Sequence, residues 1–459
     1  MPNGMPPTMN NINQLLAKYN IAAPRYTSYP TVPHWDNAPI TSETWEKQVT
    51  EAYKNTVDGV SLYIHLPYCE SLCTYCGCNT RITVNHAVEK PYIDALLKEW
   101  KMYSKLLGGR VRIKEIHLGG GTPTFFSADN LERLISEIIS TAELSEQAEQ
   151  SFEAHPANTT FQHLSTLYHL GFNRLSLGIQ DFDPSVQEII NRTQSFHSVW
   201  QVTHWARALG YTSVNFDLVY GLPLQTPASM AQTLRHVVNL KPDRIAFYSY
   251  AHVPWIKPGQ RKFTEEHLPA PAIKQQLYQL GRQAFEQAGY REIGMDHFAL
   301  PTDSLNKAAE QDTLHRNFMG YTTANTQLLI GLGASSISDT WTCFAQNEKQ
   351  VERYLERVNT GEFPIFKGHL LSEEDKFVRR HILNIMTTGT TEWTNPNDPI
   401  IAEAIKRLQI PEEDGLVILN PRGLEMTAIG QPFLRNICMA FDDRFWKQNS
   451  SALLFSQVI

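Results

Sequence analysis

The chain has 459 residues, of which 42% are hydrophobic and 19% charged, a composition typical of a globular protein with two or three domains. Its net charge of -7 argues against a basic surface for nucleic acid, and no apolar run approaches the ~20 residues that span a bilayer. The first twenty residues lack the pattern of a signal peptide, and only Cys343 and Cys438 lie outside one cluster of four cysteines. We therefore expect a cytoplasmic protein without a disulfide framework.

Residues 1–45 are predicted to form an N-terminal arm. A short helix is predicted over residues 11–19, and the segment Pro24-Arg25-Tyr26-Thr27-Ser28-Tyr29-Pro30 then interrupts regular structure with two prolines. A disordered tail fits the same residues, but two tyrosines beside an arginine favour packing. We expect the arm to pack near the functional site.

Six strands alternate with helices within residues 46–370. Apolar, β-branched runs predict strands at residues 60–66, 113–118, 151–154, 174–178, 213–219 and 244–248, with helical spacing at residues 92–107, 128–139, 199–209 and 230–240. The alternation indicates a parallel sheet, either open and doubly wound or barrel-like. We favour a partial (β/α)6 TIM-like barrel of the α/β class, because a polar or glycine feature follows each strand and would lie on one face.

The loop after the first strand carries a CxxxCxxC pattern formed by Cys69, Cys73 and Cys76. Three thiolates can converge on one soft metal centre, whereas a structural zinc site would need a further ligand pair that the downstream sequence lacks. On a cubane 4Fe–4S cluster, three thiolates leave one iron open to a small molecule. Cys78 is either a fourth ligand or a neighbour of the cluster, and its one-residue separation from Cys76 disfavours ligation. The alternative of four inert buried thiols does not explain the clustering.

The features that follow the other strands are predicted to share one mouth with the cysteine loop. They are Gly119-Gly120-Gly121-Thr122-Pro123-Thr124, Glu153, Gln180-Asp181, Asp217 and Tyr250-Ala251-His252. Adjacent glycines allow a ligand to approach the backbone closely, although a tight turn would also explain them. The carboxylates are alternatively structural ion-pair partners.

The rest of the chain up to residue 370 is less regular, and a different pattern begins after that residue. A helix is predicted over residues 269–288, a loop over residues 315–323 and a glycine-rich apolar segment over residues 328–336. Residues 371–459 combine an acidic helix start at residues 372–375, a hairpin at residues 415–427 and a further helix. We predict a small, mostly helical, winged-helix-like C-terminal domain.

The motifs of this chain resemble those of the radical S-adenosylmethionine (SAM) enzymes. Within that superfamily, the chain resembles the oxygen-independent coproporphyrinogen III oxidase family. The similarity runs nearly end to end and rests on the residue 24–30 motif, Cys76-Gly77-Cys78-Asn79, the residue 119–124 motif, and residues 177–182, 217–223, 250–252 and 436–439. CxxxCxxC alone indicates only the superfamily, whereas the arm, the Gly-Cys-Asn extension and the C-terminal part narrow the resemblance.

The resemblance implies a 4Fe–4S cluster held by Cys69, Cys73 and Cys76, together with two SAM molecules. It implies catalytic roles for Tyr63, His65, Glu153 and Cys78. The first SAM would contact Tyr63, Gly120, Glu153, Ala251 and Ile337, and the second Tyr75, Gly121, Thr122, Gln180, Arg192 and Asp217.

The implied reaction is the oxidative decarboxylation of two propionates of coproporphyrinogen III to vinyl groups, which gives protoporphyrinogen IX. SAM, cleaved by one electron, would supply a 5'-deoxyadenosyl radical that abstracts hydrogen from the propionate β-carbon. The electron would come from a donor such as flavodoxin or ferredoxin, and the enzyme would be a monomer. Propionate binding needs cationic or donor groups, for which the candidates are Arg25, His65, Arg261, Lys262 and Arg316.

The sequence departs from the family pattern at Ala154-His155, Met319 and Gln457, where Val-Asp, Gln and Arg are usual. Two other functions fit the cysteine loop. A haem-binding chaperone of the same superfamily shares it, but Gly77-Cys78-Asn79 and the arm favour the enzyme. A radical SAM methyltransferase acting on porphyrins would also use it.

Overall fold

The computed structural model describes residues 9–36 and 40–447. The first half of the chain contains α1 (Met9–Tyr19), α2 (Ser42–Lys54), β1 (Val60–Leu66), β2 (Tyr68–Cys69), β3 (Arg81–Ile82), α3 (Glu89–Leu106), β4 (Val111–Gly120), α4 (Ala128–Ser140), β5 (Ala142–Ala154), α5 (Phe161–His169), β6 (Arg174–Gln180), α6 (Pro184–Ile189), α7 (Phe196–Leu209), β7 (Ser213–Tyr220), α8 (Pro227–Leu240) and β8 (Arg244–Ser249).

The second half contains α9 (Pro271–Gln287), β9 (Arg291–Gly294), β10 (His297–Ala299), α10 (Ser304–Glu310), β11 (His315–Asn317), β12 (Gly320–Thr322), β13 (Leu329–Leu332), β14 (Ile337–Asp339), β15 (Cys343–Asn347), α11 (Val351–Asn359), β16 (Ile365–Leu370), α12 (Glu373–Thr388), β17 (Thr390–Glu392), α13 (Pro399–Glu413), β18 (Val417–Asn420), β19 (Gly423–Met426), α14 (Leu434–Met439) and α15 (Asp443–Lys447). No helix among the described residues is long and apolar enough to cross a membrane.

The main sheet has twelve strands in the order β16-β15-β14-β13-β1-β4-β5-β6-β7-β8-β10-β9. Strands β1 and β4 to β8 run parallel, which confirms the six predicted βα strands, and β13 adds a further parallel strand beside β1. Antiparallel pairs extend both ends. The six predicted parallel strands follow one another across the sheet in chain order, without the reversal of a doubly wound sheet, and the two end strands of the sheet are not paired. This is the order of the partial barrel expected from the sequence.

The helices pack on the sheet through apolar faces with a helical period. In α4, for example, Leu131, Leu134, Ile135 and Ile138 are buried, while Ser127 caps the first turn by accepting from the Asn130 N–H. Helix α7 ends at Gly210, which adopts a left-handed conformation with φ of 101°. The large core cluster between helices and sheet fixes where each strand ends and therefore where its following loop lies.

The segment predicted as a loop over residues 315–323 is instead a short hairpin formed by β11 and β12. Its strands have only three residues each and carry polar side chains, so they lack the alternating pattern that predicts a strand. The glycine-rich segment after it contains β13, in which Leu329, Ile330 and Leu332 are buried.

The C-terminal part contains helices α12 to α15 and a three-stranded antiparallel sheet in the order β17-β19-β18. This composition agrees with the mostly helical part with a hairpin that the sequence predicts. The arm shares its core, since Leu16 and Tyr26 are buried in the same cluster as Ile382 and Ile437. The boundaries at residues 45 and 370 stay a prediction. Gln457, one of the departures from the family pattern, lies outside the described residues.

Candidate active site

A cavity of about 400 Å³ opens at the carboxyl ends of the parallel strands. It collects most of the residues predicted for the site: Cys69, Cys73, Tyr75, Cys76, Cys78, Gly120, Gly121, Thr122, Glu153, Gln180, Arg192 and Asp217. All six residues assigned to the second SAM line it, whereas only Gly120 and Glu153 of the first set do. Tyr63, His65, Ala251 and Ile337 are not among the described residues that line this cavity.

The cysteine loop is held in place by backbone pairing at both of its ends. Tyr68 of β2 pairs with Arg81 of β3, where the loop returns. In the middle, the Thr74 N–H donates to the Ile190 carbonyl at 2.9 Å, and the Asn191 side chain donates to the Leu72 carbonyl at 2.8 Å. The loop is therefore anchored to the end of α6 as well as to β1.

Each of the three predicted ligand thiols has a polar neighbour within the site. Cys69 Sγ lies 3.3 Å from Thr122 Oγ1, Arg192 donates to Cys73 Sγ at 3.6 Å, and the Cys78 N–H donates to Cys76 Sγ at 3.4 Å. Burial raises the pKa of the Cys69 thiol to about 11 and also raises the pKa of the Cys73 thiol, and the hydrogen bonds from Thr122 and Arg192 oppose these shifts because they stabilise the thiolates that bind metal. The side chain of Cys78 lowers the pKa of the Cys76 thiol below its usual range.

The three thiols line one cavity, and each has a hydrogen-bond partner. A cubane cluster distributes three thiolates over three irons, so this donor set fits a 4Fe–4S cluster. Among the described residues, no group of three or more His, Cys, Asp or Glu side chains is arranged to hold a single metal ion.

The glycine-rich end of β4 packs tightly against the start of the cysteine loop. Gly120 has φ of 114°, and a Cβ atom there would lie 2.6 Å from the His65 ring. A Cβ on Gly121 would lie 2.6 Å from the backbone of Pro67, and the Gly121 N–H donates to the Leu66 carbonyl at 2.8 Å. These two glycines are therefore required by the packing of the loop, independently of any ligand.

Glu153 is held in its ionised form at the end of β5. Its side chain accepts from the Gly120 N–H at 3.1 Å and lies 3.5 Å from His117 Nε2. Burial alone would raise the pKa of Glu153, but the hydrogen bond from His117 and its charge hold that pKa below the usual range. The cavity wall thus carries a fixed negative charge beside the glycine-rich turn.

Asp217 differs from Glu153 because burial dominates its environment. Burial raises the pKa of Asp217 to about 6, although Ser176 and Asn215 donate to its carboxylate at 2.9 and 2.8 Å. Arg192 lies nearby and donates to the Gly178 carbonyl at 2.6 Å. Gln180, with φ of 64°, ends β6 in a left-handed conformation that turns the chain away from the sheet.

Tyr63 and His65 lie on β1 behind the glycine-rich turn. The Tyr63 hydroxyl lies 3.0 Å from His65 Nδ1, and His65 Nε2 lies 3.0 Å from the Asn79 carbonyl. The two side chains connect β1 to the residues that follow the cysteines. A Cβ on Gly119 would lie 3.0 Å from the Tyr63 ring and 3.1 Å from Glu153, so Tyr63 borders the carboxylate.

The structure adds two features that sequence reasoning missed. His155, at one of the departures from the family pattern, lines the cavity, and burial lowers its pKa to about 3. A second cavity of about 130 Å³ lies inside the barrel and shares Glu153, Asp217 and Tyr248 with the first. Its other walls include Glu115, Arg174, Arg244, His297, Met319 and Tyr321. The polar residues at alternate positions of β4 and β5 could have indicated this second cavity from the sequence, because they lie on the face of the strands that lines it.

A partial parallel barrel whose first strand leads into a three-cysteine loop defines a radical SAM enzyme, and the family model of the radical SAM superfamily matches residues 63–237. The solved structure of coproporphyrinogen III oxidase from Escherichia coli, described as a radical SAM enzyme, is 36% identical with a TM-score of 0.88, covering 94% of this chain and 98% of that one.

Curated relatives narrow the class further. Oxygen-independent coproporphyrinogen III oxidase of Escherichia coli is 37% identical over 454 residues, covering 97% of this chain and 98% of the relative. The protein of the same name from Synechocystis is 37% identical over 99% of both chains. The chain belongs to the family of oxygen-independent coproporphyrinogen III oxidases. Its cofactors are accordingly a 4Fe–4S cluster and SAM.

Proposed function

We propose that this protein is the oxidoreductase that converts two propionate side chains of coproporphyrinogen III into vinyl groups, giving protoporphyrinogen IX and CO2 without O2. The cavity at the carboxyl ends of the strands carries the proposal. There, three thiols, two carboxylates and a glycine-rich strand end share one space. The near full-length similarity to relatives named for this reaction supports the same substrate.

The cysteine loop would hold the cluster through Cys69, Cys73 and Cys76. When bound, the 4Fe–4S cluster would supply the electron that cleaves SAM, and the resulting radical removes hydrogen from a propionate β-carbon. Arg192 and Thr122 hydrogen-bond to the sulfurs and thereby orient the loop. Cys78, whose N–H donates to Cys76 Sγ, would act beside the cluster rather than as a ligand.

The cavity walls would orient SAM through charge and backbone access. The ionised Glu153 suits the SAM amine, and Asp217 suits ribose hydroxyls. We keep two SAM molecules as a proposal. The first would contact Tyr63, Gly120, Glu153, Ala251 and Ile337, and the second Tyr75, Gly121, Thr122, Gln180, Arg192 and Asp217. Glu153 would act from the cavity wall, while Tyr63 would lie behind it and be positioned by His65 through their 3.0 Å contact.

Arg25 and Arg316 are the preferred anchors for the substrate carboxylates. Arg25 lies over the ring of Tyr248, which borders both cavities, and pairs with Asp296 at 3.1 Å. Arg316 is buried over the ring of Tyr321, and its Nε and one terminal nitrogen have no hydrogen-bond partner within the described parts of the chain. A buried guanidinium with unused donors favours a carboxylate ligand.

The other three candidates are less suited to this role. His65 is engaged with Tyr63 and Asn79, and Arg261 and Lys262 are exposed on the outer surface. Met319, where the family usually has glutamine, borders the second cavity and would reduce the number of polar contacts available to the substrate there.

The remaining partners follow from the same proposal. A donor such as flavodoxin or ferredoxin would supply the electron, and the enzyme would act as a cytoplasmic monomer. The net charge of -7 supports the absence of nucleic acid and membrane partners. The two alternatives, a haem-binding chaperone and a porphyrin methyltransferase, are not favoured by relatives that carry the oxidase name over nearly their whole length.

The test is an anaerobic assay with reconstituted cluster, SAM, dithionite and coproporphyrinogen III. We expect protoporphyrinogen IX and CO2 from the wild type, and a raised KM from Arg316→Met but not from Arg291→Met, an exposed control. Cleavage of SAM without any vinyl product would refute the proposed reaction. An unchanged KM in Arg316→Met would refute the anchor alone.

A further inference from the structure

Exposed apolar side chains lie on the cysteine loop and on the segment that packs against it, where they can contact another protein. Leu72 of the loop is 42% exposed, and Trp255 and Ile256 of the segment after β8 are 49% and 53% exposed. We call these three residues, with Arg261 and Lys262, the outer face. Large apolar side chains grouped on a surface are typical of interaction sites.

The outer face is connected directly to the cysteine loop. Lys257 Nζ donates to the Cys78 carbonyl at 3.3 Å, and the Gln260 side chain donates to the Tyr75 carbonyl at 3.1 Å. A Cβ on Gly259 would lie 3.3 Å from the Leu72 side chain, so the segment packs on the loop itself. A protein bound there would lie next to the thiols and beside the cavity, which Leu72 also lines.

The charge of this segment is opposite to that of the chain as a whole. Residues 253–262 contain Lys257, Arg261 and Lys262 and no acidic residue, while the chain carries a net charge of -7. An acidic partner would be repelled by most of the surface and attracted here. Glu265 and Glu266 end the basic segment and limit its extent.

From this placement we infer that the outer face is the docking site of an acidic one-electron carrier protein, the donor class on which the proposed function depends. In the docked complex the carrier is oxidised by one electron and the cluster is reduced by one, and no bond forms or breaks. Transfer rates fall steeply with distance, so docking beside the cysteine loop favours transfer. A small face with few apolar contacts suits the transient encounters of redox partners.

The chain offers matched controls for both components of the face. Trp200 on α7 is 44% exposed and stacks on His204, so Trp200→Ala removes a similar indole elsewhere. Lys406 on α13 is an exposed lysine in the C-terminal part, so Lys406→Glu makes the same charge change as Lys262→Glu.

The experiment follows reduction of the reconstituted 4Fe–4S holoenzyme by fully reduced flavodoxin, using the loss of cluster absorbance in a stopped-flow instrument. At low salt we expect Lys262→Glu and Trp255→Ala each to lower the second-order rate constant by about tenfold. The Lys262→Glu effect should shrink at ~0.5 M salt because exposed charges are then screened. Reduction by dithionite should be unchanged, and Glu265→Lys should accelerate reduction by flavodoxin.

Three results would overturn the inference. The first is the same rate of reduction by flavodoxin in the wild type and all variants. The second is that the controls Trp200→Ala or Lys406→Glu slow this reduction as much as Trp255→Ala or Lys262→Glu do. The third is that reduction by dithionite slows as much as reduction by flavodoxin, which would indicate damage to the cluster. The turnover assay uses dithionite and needs no carrier protein. Failure of the proposed reaction would therefore appear in that assay, whereas failure of docking would appear only in the flavodoxin experiment.

Discussion

At the scale of single residues, the surroundings of the six cysteines separate them into two kinds. Cys343 and Cys438 are fully buried in apolar cores, and burial raises the pKa of the Cys343 thiol to about 12. The three loop thiols are only partly buried and each has a polar partner. Burial also raises the pKa of Cys69 and Cys73, but these two thiols share a cavity with Cys76 and have polar partners that oppose the shift, whereas the two core thiols lie among apolar side chains.

Cys78 provides the residue-scale prediction. It is exposed, and it contacts Cys76 through its backbone N–H, which a serine retains, and through its thiol, which a serine replaces with another hydrogen-bonding group. We expect Cys78→Ser to keep the iron content and cluster absorbance of the wild type after reconstitution, while Cys73→Ser loses most of its iron. Iron loss in Cys78→Ser equal to that in Cys73→Ser would make Cys78 a ligand.

At the scale of secondary-structure elements, the site depends on how strand ends meet. Strands β1 and β4 pair in parallel up to Leu66 and Gly120, which brings the cysteine loop and the glycine-rich turn together. The turn then continues with the Thr122 N–H donating to the Tyr68 carbonyl at 3.0 Å. A change at one strand end therefore displaces residues on the next.

Gly120→Ala is expected to impair SAM binding by displacing His65. The new methyl group would lie 2.6 Å from the imidazole at a backbone angle that alanine rarely adopts. We expect SAM affinity, measured by equilibrium dialysis with the reconstituted protein, to fall by about tenfold or more. Gly361→Ala, at a positive-φ glycine with open space around it, is the control for backbone strain alone. Equal affinities in both variants would contradict the packing argument.

Glu99 connects four elements through one buried carboxylate. It accepts from the Gly333 N–H at 2.8 Å, from Tyr354 at 2.7 Å and from Asn347 at 2.7 Å, and burial raises its pKa from 4.5 to about 7. Because its pKa is higher in the folded state, folding takes up a proton between these pH values. The stability contribution therefore falls as pH rises through that range.

The corresponding measurement is urea denaturation of wild type and Glu99→Gln from about pH 5 to about pH 8. We expect the free energy of unfolding of the wild type to fall relative to the variant by on the order of 2 kcal/mol across this range. Parallel curves, separated only by the constant offset that altered hydrogen bonds would produce, would contradict the pKa argument.

Many of the secondary-structure elements could be predicted from the sequence. Buried parallel strands are nearly continuous apolar runs, so β1, β6, β7 and β8 were found within a few residues. The first half of β5 is polar and the β11–β12 hairpin is very short, so neither has a recognisable period. The cysteine spacing predicted three thiols that share one cavity, and their role as ligands stays a prediction. The pairing of Glu153 with His117 joins different strands, and no local pattern encodes it.

At the scale of the whole molecule, the arm and the C-terminal part form one unit against the barrel. Arg435 donates to the carbonyls of Ala23 and Pro24, and Asn436 donates to the Tyr19 carbonyl at 3.0 Å. Arg379 and Asp339 form a buried ion pair between α12 and β14. The first contacts connect the arm to the C-terminal part, and the ion pair connects the C-terminal part to the main sheet.

Tyr26→Phe is expected to loosen the arm. The Tyr26 hydroxyl donates to Asp442 at 3.0 Å, both groups are buried, and the variant leaves the carboxyl with one donor fewer. We expect a loss of about 1–3 kcal/mol in urea denaturation. Tryptic cleavage after Arg25 should also become faster. Tyr168→Phe, at a half-exposed tyrosine of α5, should change neither measurement, and equal behaviour of the two variants would contradict the proposed role of this contact.

The central claim is that this cavity directs radical chemistry at the propionate β-carbon. The most direct measurement uses coproporphyrinogen III deuterated at that carbon, with reconstituted enzyme, SAM and dithionite under anaerobic conditions. The account predicts deuterium in the 5'-deoxyadenosine product, together with two vinyl groups formed per substrate molecule. Unlabelled 5'-deoxyadenosine, or a methylated porphyrin in place of the vinyl product, would contradict it.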